Sequence, residues 1–279
     1  YRRQRQMCIR DSFQMDIMMF WVNQELLKQA GLDEIKNTGD FDILQKSLKN
    51  PDQYAYGDAW ENTHVYNSLS QFVNFWGGDY FDWTDPKTKD AARYMKSMLD
   101  EKNTSPAQFV DQYEQMEEKF IRGKYGCVFM YTSALGTFLD ADVYGKNKIH
   151  MAPLPVLHKK KATNIATWQY VLNNASENKD AAVRFLQYAA GYEGSTEYAK
   201  IMKSYPARVD VIENEDIDLE GIDMIRKYLR EYTLNARPLC ENSMGAVSDM
   251  GKLFQGYVLG QCEEDSFFEQ AQNCINTYY

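Results

Sequence analysis

The chain has 279 residues, of which 44% are hydrophobic and 25% charged, a composition typical of a globular protein with one large domain or two smaller ones. Its 31 basic and 40 acidic residues give a net charge of −9, which argues against a general nucleic-acid-binding role because a phosphate backbone would be repelled. No run approaches the ~20 apolar residues that a membrane-spanning helix needs, and no signal-peptide pattern is visible in the printed sequence.

The first twelve residues, YRRQRQMCIRDS, differ in character from the rest of the chain. They are basic within an acidic protein, lack a periodic apolar pattern and do not begin with Met. They resemble the translation of a sequencing adapter. We therefore expect residues 1–12 to be foreign, or else a disordered native tail, and exclude them from the fold prediction.

Helical spacing and end signals predict a series of helices along the chain. Asn23 is a capping residue for the first helix, Gly31 ends it, and Asp85 with Pro86 opens the second. The predicted helices span residues 23–31, 84–102, 112–123, 178–191, 223–232, 244–260 and 265–279. In the helix at 178–191, we expect an inward apolar face formed by Ala182, Phe185, Leu186 and Ala189.

Short apolar runs predict strands at residues 124–131, 148–155 and 168–173. Strands that alternate with helices indicate an α/β protein with mostly parallel pairing. Trp168 stands at the leading edge of the third run, so we expect its ring to face an opening rather than the core.

Motifs for catalysis or metal binding are absent from the sequence. The three histidines stand in no nucleophile or metal pattern, and there is no GxSxG, GxGxxG or phosphate-binding loop motif. The cysteines after Cys8 have no zinc spacing, and we expect free buried thiols, with the disulfide state left open; they are Cys127, Cys240, Cys262 and Cys274. We therefore predict no catalytic residue, no metal and no cofactor.

One enzymatic alternative stays open. Asp79 and Asp82 in WGGDYFD could act with a Glu as paired carboxylates of a glycoside hydrolase, although the same residues are ordinary turn chemistry after two glycines.

Aromatic and amide side chains suggest a neutral, polyhydroxylated ligand. An aromatic ring covers the C–H face of a sugar, while amides and hydroxyls bind its rim. The candidate contacts are Trp60, Asn62, Trp76, Tyr131, Ser133 and Trp168.

The order of several segments resembles that of the family 1 extracellular solute-binding proteins, which serve ABC importers. The segments are FWVNQELLKQAGLDE, FVNFWGGDYFD, EEKFIRGKYGCVFMYTS, MAPLPV, TWQYVLNNASENKDAAVRFLQY, SYPARVDV and ARPLCENSMG. They follow the family order from about residue 13 to the end of the chain. This resemblance adds Asp16, Arg208, Arg237 and Asn242 to the candidate ligand contacts.

The resemblance implies a two-lobed α/β fold of the periplasmic-binding-protein type II kind, with a sugar or oligosaccharide held between the lobes and an incomplete N-terminal lobe. We expect residues 13–149 plus 205–279 to form the C-terminal lobe and residues 150–204 to be the remnant of the N-terminal lobe.

The resemblance also implies partners and a location. We expect delivery of the ligand to ABC permease subunits by a monomer, either a lipoprotein on the extracellular face of the membrane or a periplasmic protein, with a lost lipid anchor as its only link to the membrane. A structural interaction module and an amide, polyamine or polyol cargo remain as alternatives.

Overall fold

The computed structural model describes residues 12–236 and 240–279. The strands are β1 (Ser12–Asn23), β2 (Tyr54–Gly57), β3 (Tyr125–Tyr131), β4 (Ile149–Ala152), β5 (Ala162–Gln169) and β6 (Thr233–Ala236). The first helices are α1 (Gln24–Gln29), α2 (Thr38–Ser47), α3 (Val65–Trp76), α4 (Pro86–Asp100), α5 (Tyr113–Ile121) and α6 (Ala134–Asp140). The later helices are α7 (Lys179–Ala189), α8 (Tyr192–Met202), α9 (Val209–Ile212), α10 (Ile222–Glu231), α11 (Ser243–Val258) and α12 (Glu264–Tyr278). A short 3-10 helix covers Pro106–Val110.

The chain forms two compact units. The small unit contains the described residues 12–17 together with Ile165–Leu234, and the large unit contains Met18–Asn164 and the described residues from Asn235 to Tyr279. The chain therefore passes between the units at residues 17/18, 164/165 and 234/235.

These boundaries differ from the division expected from the sequence. Residues 150–164 belong to the large unit, because β4 pairs with β1 there, with Met151 opposite Trp21. Residues 205–234 belong to the small unit, where the N–H of Met15 donates to the carbonyl of Tyr205. Ser12, which we excluded with the foreign segment, pairs with Gln169.

The large unit is built on the second half of β1. That half pairs antiparallel with β3, with Met18 opposite Tyr131, and antiparallel with β4, whereas β2 pairs parallel with β3. The prediction of mostly parallel pairing is therefore wrong. Strands that alternate with helices suggested parallel pairing, but β1 is buried on both faces and pairs antiparallel with all three of its neighbours β3, β4 and β5.

Helix α3 is the central helix of the large unit. Every residue of α3 except Asn74 is buried, and its Phe72 and Phe75 rings contact Phe129 of β3. Such aromatic contacts bury a large apolar area. The core of the large unit thus lies between α3 and the sheet.

In the small unit, residues 12–17 of β1 pair antiparallel with residues 165–169 of β5. The predicted strand at 168–173 is displaced, because β5 ends at Gln169 and Val171 is 84% exposed. The predicted inward face of the following helix is only partly covered: Ala182, Leu186 and Ala189 are half-buried, but no residue of α7 is buried and Phe185 is 57% exposed.

None of the helices in the described residues is both long and apolar enough to cross a membrane.

Candidate functional site

Trp168 presents its ring on the surface of the small unit. It lies on β5 opposite Gln14 of β1, and Ala166 lies opposite Asp16, so these four side chains share one face of the strand pair. The ring is 57% exposed. The expectation that Trp168 lies outside the core is therefore confirmed, although it lies near the end of its strand and not at the beginning.

A hydrogen bond fixes the orientation of the exposed ring. The indole Nε1–H of Trp168 donates to Asp16 Oδ2 at 2.9 Å. Asp16 is only 5% exposed, so its carboxylate is part of the rigid base of the strand pair. One edge of the indole is thus held, while its apolar surface remains open to solvent.

Tyr198 of α8 extends this polar contact. Its hydroxyl donates to Gln14 Oε1 at 2.7 Å, and Gln14 Nε2 lies 3.5 Å from Asp16 Oδ2. Burial raises the pKa of Tyr198, and the negative charge of Asp16 contributes in the same direction. Tyr198 therefore stays a neutral donor at physiological pH. The sequence prediction named Trp168 and Asp16 but missed Gln14 and Tyr198, which lie far apart along the chain.

The large unit carries a second polar and aromatic surface, around the start of α3. Glu61 Oε2 accepts from Thr63 Oγ1 at 2.6 Å and lies 2.9 Å from His64 Nδ1. Burial alone would raise the pKa of Glu61, but the hydrogen bonds from Thr63 and His64 hold that pKa below its usual value. Glu61 is therefore an ionised acceptor at neutral pH.

Aromatic contacts continue this surface. Tyr113 meets His64 and Tyr131 edge to face, at ring distances of 5.3 and 5.9 Å. The Tyr131 hydroxyl donates to Asn67 Oδ1 at 3.2 Å. The sequence prediction included Tyr131 and missed Glu61 and His64, although both flank the chosen residue Asn62 in AWENTH.

The structure places the other two candidate tryptophans in the core of the large unit. Trp60 is 0% exposed and contacts Phe109 and Phe254. Trp76 is 7% exposed and is stacked on His158 at 4.7 Å. Neither ring offers an open face, so these two residues do not enter the proposed site.

The remaining candidates have structural partners of their own. Asn62 Nδ2 donates to Ser248 Oγ at 3.0 Å, and Asn242 caps α11 by accepting from the N–H of Gly245 at 3.1 Å. Arg208 forms an ion pair with Asp210 and donates to the carbonyl of Ala190. Ser133 is exposed at the start of α6, and Arg237 lies outside the described residues.

Asp79 and Asp82, the carboxylates of the proposed glycoside hydrolase, accept hydrogen bonds within a turn. Asp79 Oδ1 accepts from the N–H of Phe81, and Asp82 Oδ1 accepts from Thr84. The Thr84 hydroxyl, together with nearby N–H groups, lowers the pKa of Asp82. A general acid needs a raised pKa, so this environment favours the turn over glycoside hydrolysis.

Within residues 12–236 and 240–279, no group of three or more His, Cys, Asp or Glu side chains could hold a metal ion. In the same part of the chain, Cys127, Cys240, Cys262 and Cys274 are free thiols. Cys127 is buried, as expected, and its thiol donates to the carbonyl of Ala55; the other three are half-buried.

Solved structures with the same fold are known. The chain is similar to a maltose-bound T. maritima MalE3 (15% identity, TM-score 0.80), covering 96% of this chain and 72% of that one. An ABC transporter solute-binding protein from Thermotoga lettingae bound with alpha-D-tagatose has 16% identity and a TM-score of 0.81, with 95% and 71% covered. Lmo0181 from Listeria monocytogenes, an ABC substrate-binding protein in complex with cycloalternan, has 15% identity and a TM-score of 0.78, with 96% and 70% covered.

These similarities confirm the predicted α/β fold of the two-lobed periplasmic binding proteins. No curated protein sequence matches the chain significantly. The sequence profile described as "Bacterial extracellular solute-binding protein" matches residues 11–196, more than half of the chain. The chain therefore belongs to the family of bacterial extracellular solute-binding proteins.

Proposed function

We propose that this protein is the substrate-binding component of an ABC transporter and that its cargo is a sugar or an oligosaccharide. Three similar structures support the proposal, because they hold maltose, alpha-D-tagatose and cycloalternan. The family itself is one of binding proteins, which supports capture of a ligand rather than its conversion.

The single observation that carries the proposal is the exposed, oriented indole of Trp168. A sugar ring has one face of C–H bonds, and such a face gains stability when it covers an aromatic ring. The bond to Asp16 holds the indole in place before the ligand arrives, so little side-chain freedom is lost on binding.

On the large unit, we propose that polar side chains near the start of α3 and α6 also contact ligand hydroxyls. Tyr131 and Ser133 reach solvent there, and so do Asn62 and Glu61. Arg208, Arg237 and Asn242 stay in the proposal as weaker candidates, since the structure gives Arg208 and Asn242 local partners.

Titration calorimetry with maltose, alpha-D-tagatose and cycloalternan tests the proposal. Replacing Trp168 with Ala removes the stacking face, which is worth roughly 1–3 kcal/mol by buried apolar area. We expect affinity to fall about tenfold or more. Tyr188→Ala is the matched control, because Tyr188 is also exposed (55%) and belongs to α7 of the small unit, not to the β1–β5 pair.

Two results would contradict the proposal. An unchanged affinity in the Trp168 variant would remove the stacking role, and the absence of binding or thermal stabilisation by all three carbohydrates would remove the proposed cargo. Release of a smaller sugar from maltose would instead support the glycoside hydrolase.

We propose further that the large unit belongs to the C-terminal lobe of the family fold and the small unit to the N-terminal lobe. We infer that the protein works as a monomer outside the cytoplasmic membrane and hands its ligand to permease subunits. The family description as extracellular supports the location. Whether a lipid anchor or the periplasm retains the protein is tested by fractionating the cells that produce it.

A further inference from the structure

Helix α3 carries a polar stripe within the core of the large unit. Ser70, Gln71 and Asn74 follow Asn67 after three, four and seven residues, so the four side chains share one side of the helix. Asn67, Ser70 and Gln71 are buried, with Gln71 at 0% exposure. A buried polar face is unfavourable unless each group finds a hydrogen-bond partner.

Gln71 finds its partners on the edge of β5. Its Nε2–H donates to the carbonyl of Ala162 at 3.0 Å, and its Oε1 accepts from the N–H of Asn164 at 2.8 Å. Main-chain groups two residues apart point to the same edge of a strand. The side-chain amide of Gln71 therefore takes the place that a peptide group of a neighbouring strand would occupy.

The side chain of Asn164 is held by the same helix. Its Nδ2 donates to the carbonyl of Asn67 at 2.7 Å and to Ser70 Oγ at 2.8 Å. The preceding residue, Thr163, donates through its hydroxyl to the carbonyl of Met18 on β1 at 2.7 Å. Residues 162–164 are thus held both by α3 and by β1, through contacts within the large unit.

We infer that the amide clamp, formed by Asn67, Ser70, Gln71 and Asn164, is a positioning device for Trp168. Asn164 is the last residue of the large unit on β5, and Trp168 follows four residues later on the same strand. A strand that slips by one residue turns every side chain to its other face. The clamp therefore fixes the register in which Trp168 meets Asp16; its role in ligand binding rests on the function proposed above.

The choice of residues supports positioning over simple packing. Apolar side chains of similar volume would fill the same space, but they would leave the buried carbonyl of Ala162 and the N–H of Asn164 without these partners. They would not distinguish one register of β5 from another, because apolar contacts are not directional. The stripe thus contributes specificity that an apolar helix face would lack.

Amide hydrogen exchange of the complete chain tests the clamp. Gln71→Met keeps the length of the side chain and removes both hydrogen bonds to β5. We expect the amides of residues 164–169 to exchange at least tenfold faster than in the wild type. Gln108→Met is the matched control, because Gln108 is equally buried in the large unit but bonds to Asp58 and Thr104.

The control separates positioning from general destabilisation. With Gln108→Met, we expect a comparable loss of thermal stability and unchanged exchange in β5. Equal protection of β5 in the Gln71 variant and the wild type, or equal loss of protection in both variants, would overturn the inference.

Gln71→Glu tests whether the hydrogen bonds, and not packing alone, protect β5. It also provides a second variant if Gln71→Met fails to fold. When protonated, the introduced carboxyl group can donate to Ala162 and accept from Asn164, whereas its ionised form cannot donate. We therefore expect wild-type protection of β5 in this variant at acidic pH and its loss as the carboxyl ionises. Protection that does not change with pH relative to the wild type would contradict the clamp.

Binding of maltose gives a separate result. If the wild type binds maltose, we expect weaker binding in Gln71→Met than in Gln108→Met. If the wild type binds no carbohydrate, the proposed function fails, while the exchange experiment still decides whether the clamp holds β5.

Discussion

Asp58 is a fully buried carboxyl group in the core of the large unit. Burial raises its pKa from the ordinary value of 3.8 to about 6, and the hydrogen bonds that it receives, including those from the Tyr56 hydroxyl and the N–H of Ala59, offset this only in part. Between these two pH values the folded chain binds more protons at this site than the unfolded chain. The contribution of Asp58 to the free energy of unfolding therefore falls as pH rises through this window.

We predict that Asp58→Asn removes this dependence. A pKa raised from 3.8 to about 6 corresponds to about 3 kcal/mol, so the wild type should lose about that much stability relative to the variant between pH 3 and pH 7. Urea unfolding at several pH values measures the difference. A difference between the two proteins that stays constant with pH would show that Asp58 does not titrate in this range.

The three candidate tryptophans show that local sequence does not determine whether a side chain is exposed. Trp60, Trp76 and Trp168 each adjoin at least one polar or aromatic residue in the sequence. Their exposure depends on side chains that lie far along the chain, such as Phe254 beside Trp60 and His158 beside Trp76. Local sequence therefore identifies tryptophans as candidate ligand contacts but does not tell which of them are exposed.

Among the elements, β2 and β3 approach each other closely at Gly57. A Cβ at this position would lie 2.4 Å from the ring of Tyr125, which is fully buried. The ring cannot move aside without disturbing a close-packed interior. Gly57 therefore leaves room for the ring of Tyr125 beside the backbone of β2.

We predict that Gly57→Ala destabilises the protein by about 1–3 kcal/mol through overpacking. Gly136→Ala is the control, since a Cβ at Gly136 in α6 has nothing within 4 Å and should be neutral or slightly stabilising. Thermal unfolding of the two variants measures both effects. Similar melting temperatures would show that β2 and β3 adjust freely around Tyr125.

The position of β5 shows why a strand can escape prediction. The apolar run YVL after Trp168 suggested a strand, yet Val171 is exposed, and the buried part of β5 includes the polar residues Thr163 and Asn164. Hydrogen bonds to α3 and β1 make burial of those polar side chains favourable. An apolar pattern cannot reveal partners that only folding brings together.

At the scale of the whole molecule, the small unit has a solvent-facing apolar surface on α7. Val183, Phe185 and Tyr188 are 39%, 57% and 55% exposed, and no residue of this helix is buried. Exposed large apolar side chains promote association. Ala182, Leu186 and Ala189 of α7 are half-buried, whereas Phe185 remains largely exposed although its ring contacts Tyr170 at 5.9 Å.

We predict that Phe185→Lys lowers self-association and the fluorescence of a hydrophobic dye, with little change in melting temperature because the side chain is largely exposed. Light scattering over a range of concentrations and dye titration measure these effects. Val110→Lys serves as the comparison, since Val110 is an exposed apolar residue (77%) on the large unit. An equal effect of both substitutions would mean that the α7 surface has no special role.

The sequence by itself determined the local features of this protein. The caps at Asn23 and Asp85 form as predicted, because a cap needs only backbone groups two or three residues away. The order of the family segments identified the fold, because each segment is a local pattern. Tertiary structure alone decided the antiparallel pairing of β1, the burial of Trp60 and Trp76, the bond between Asp16 and Trp168, and the clamp on β5. Each of these depends on groups distant in sequence, and the free energy of burial and hydrogen bonding is set by which groups meet in space.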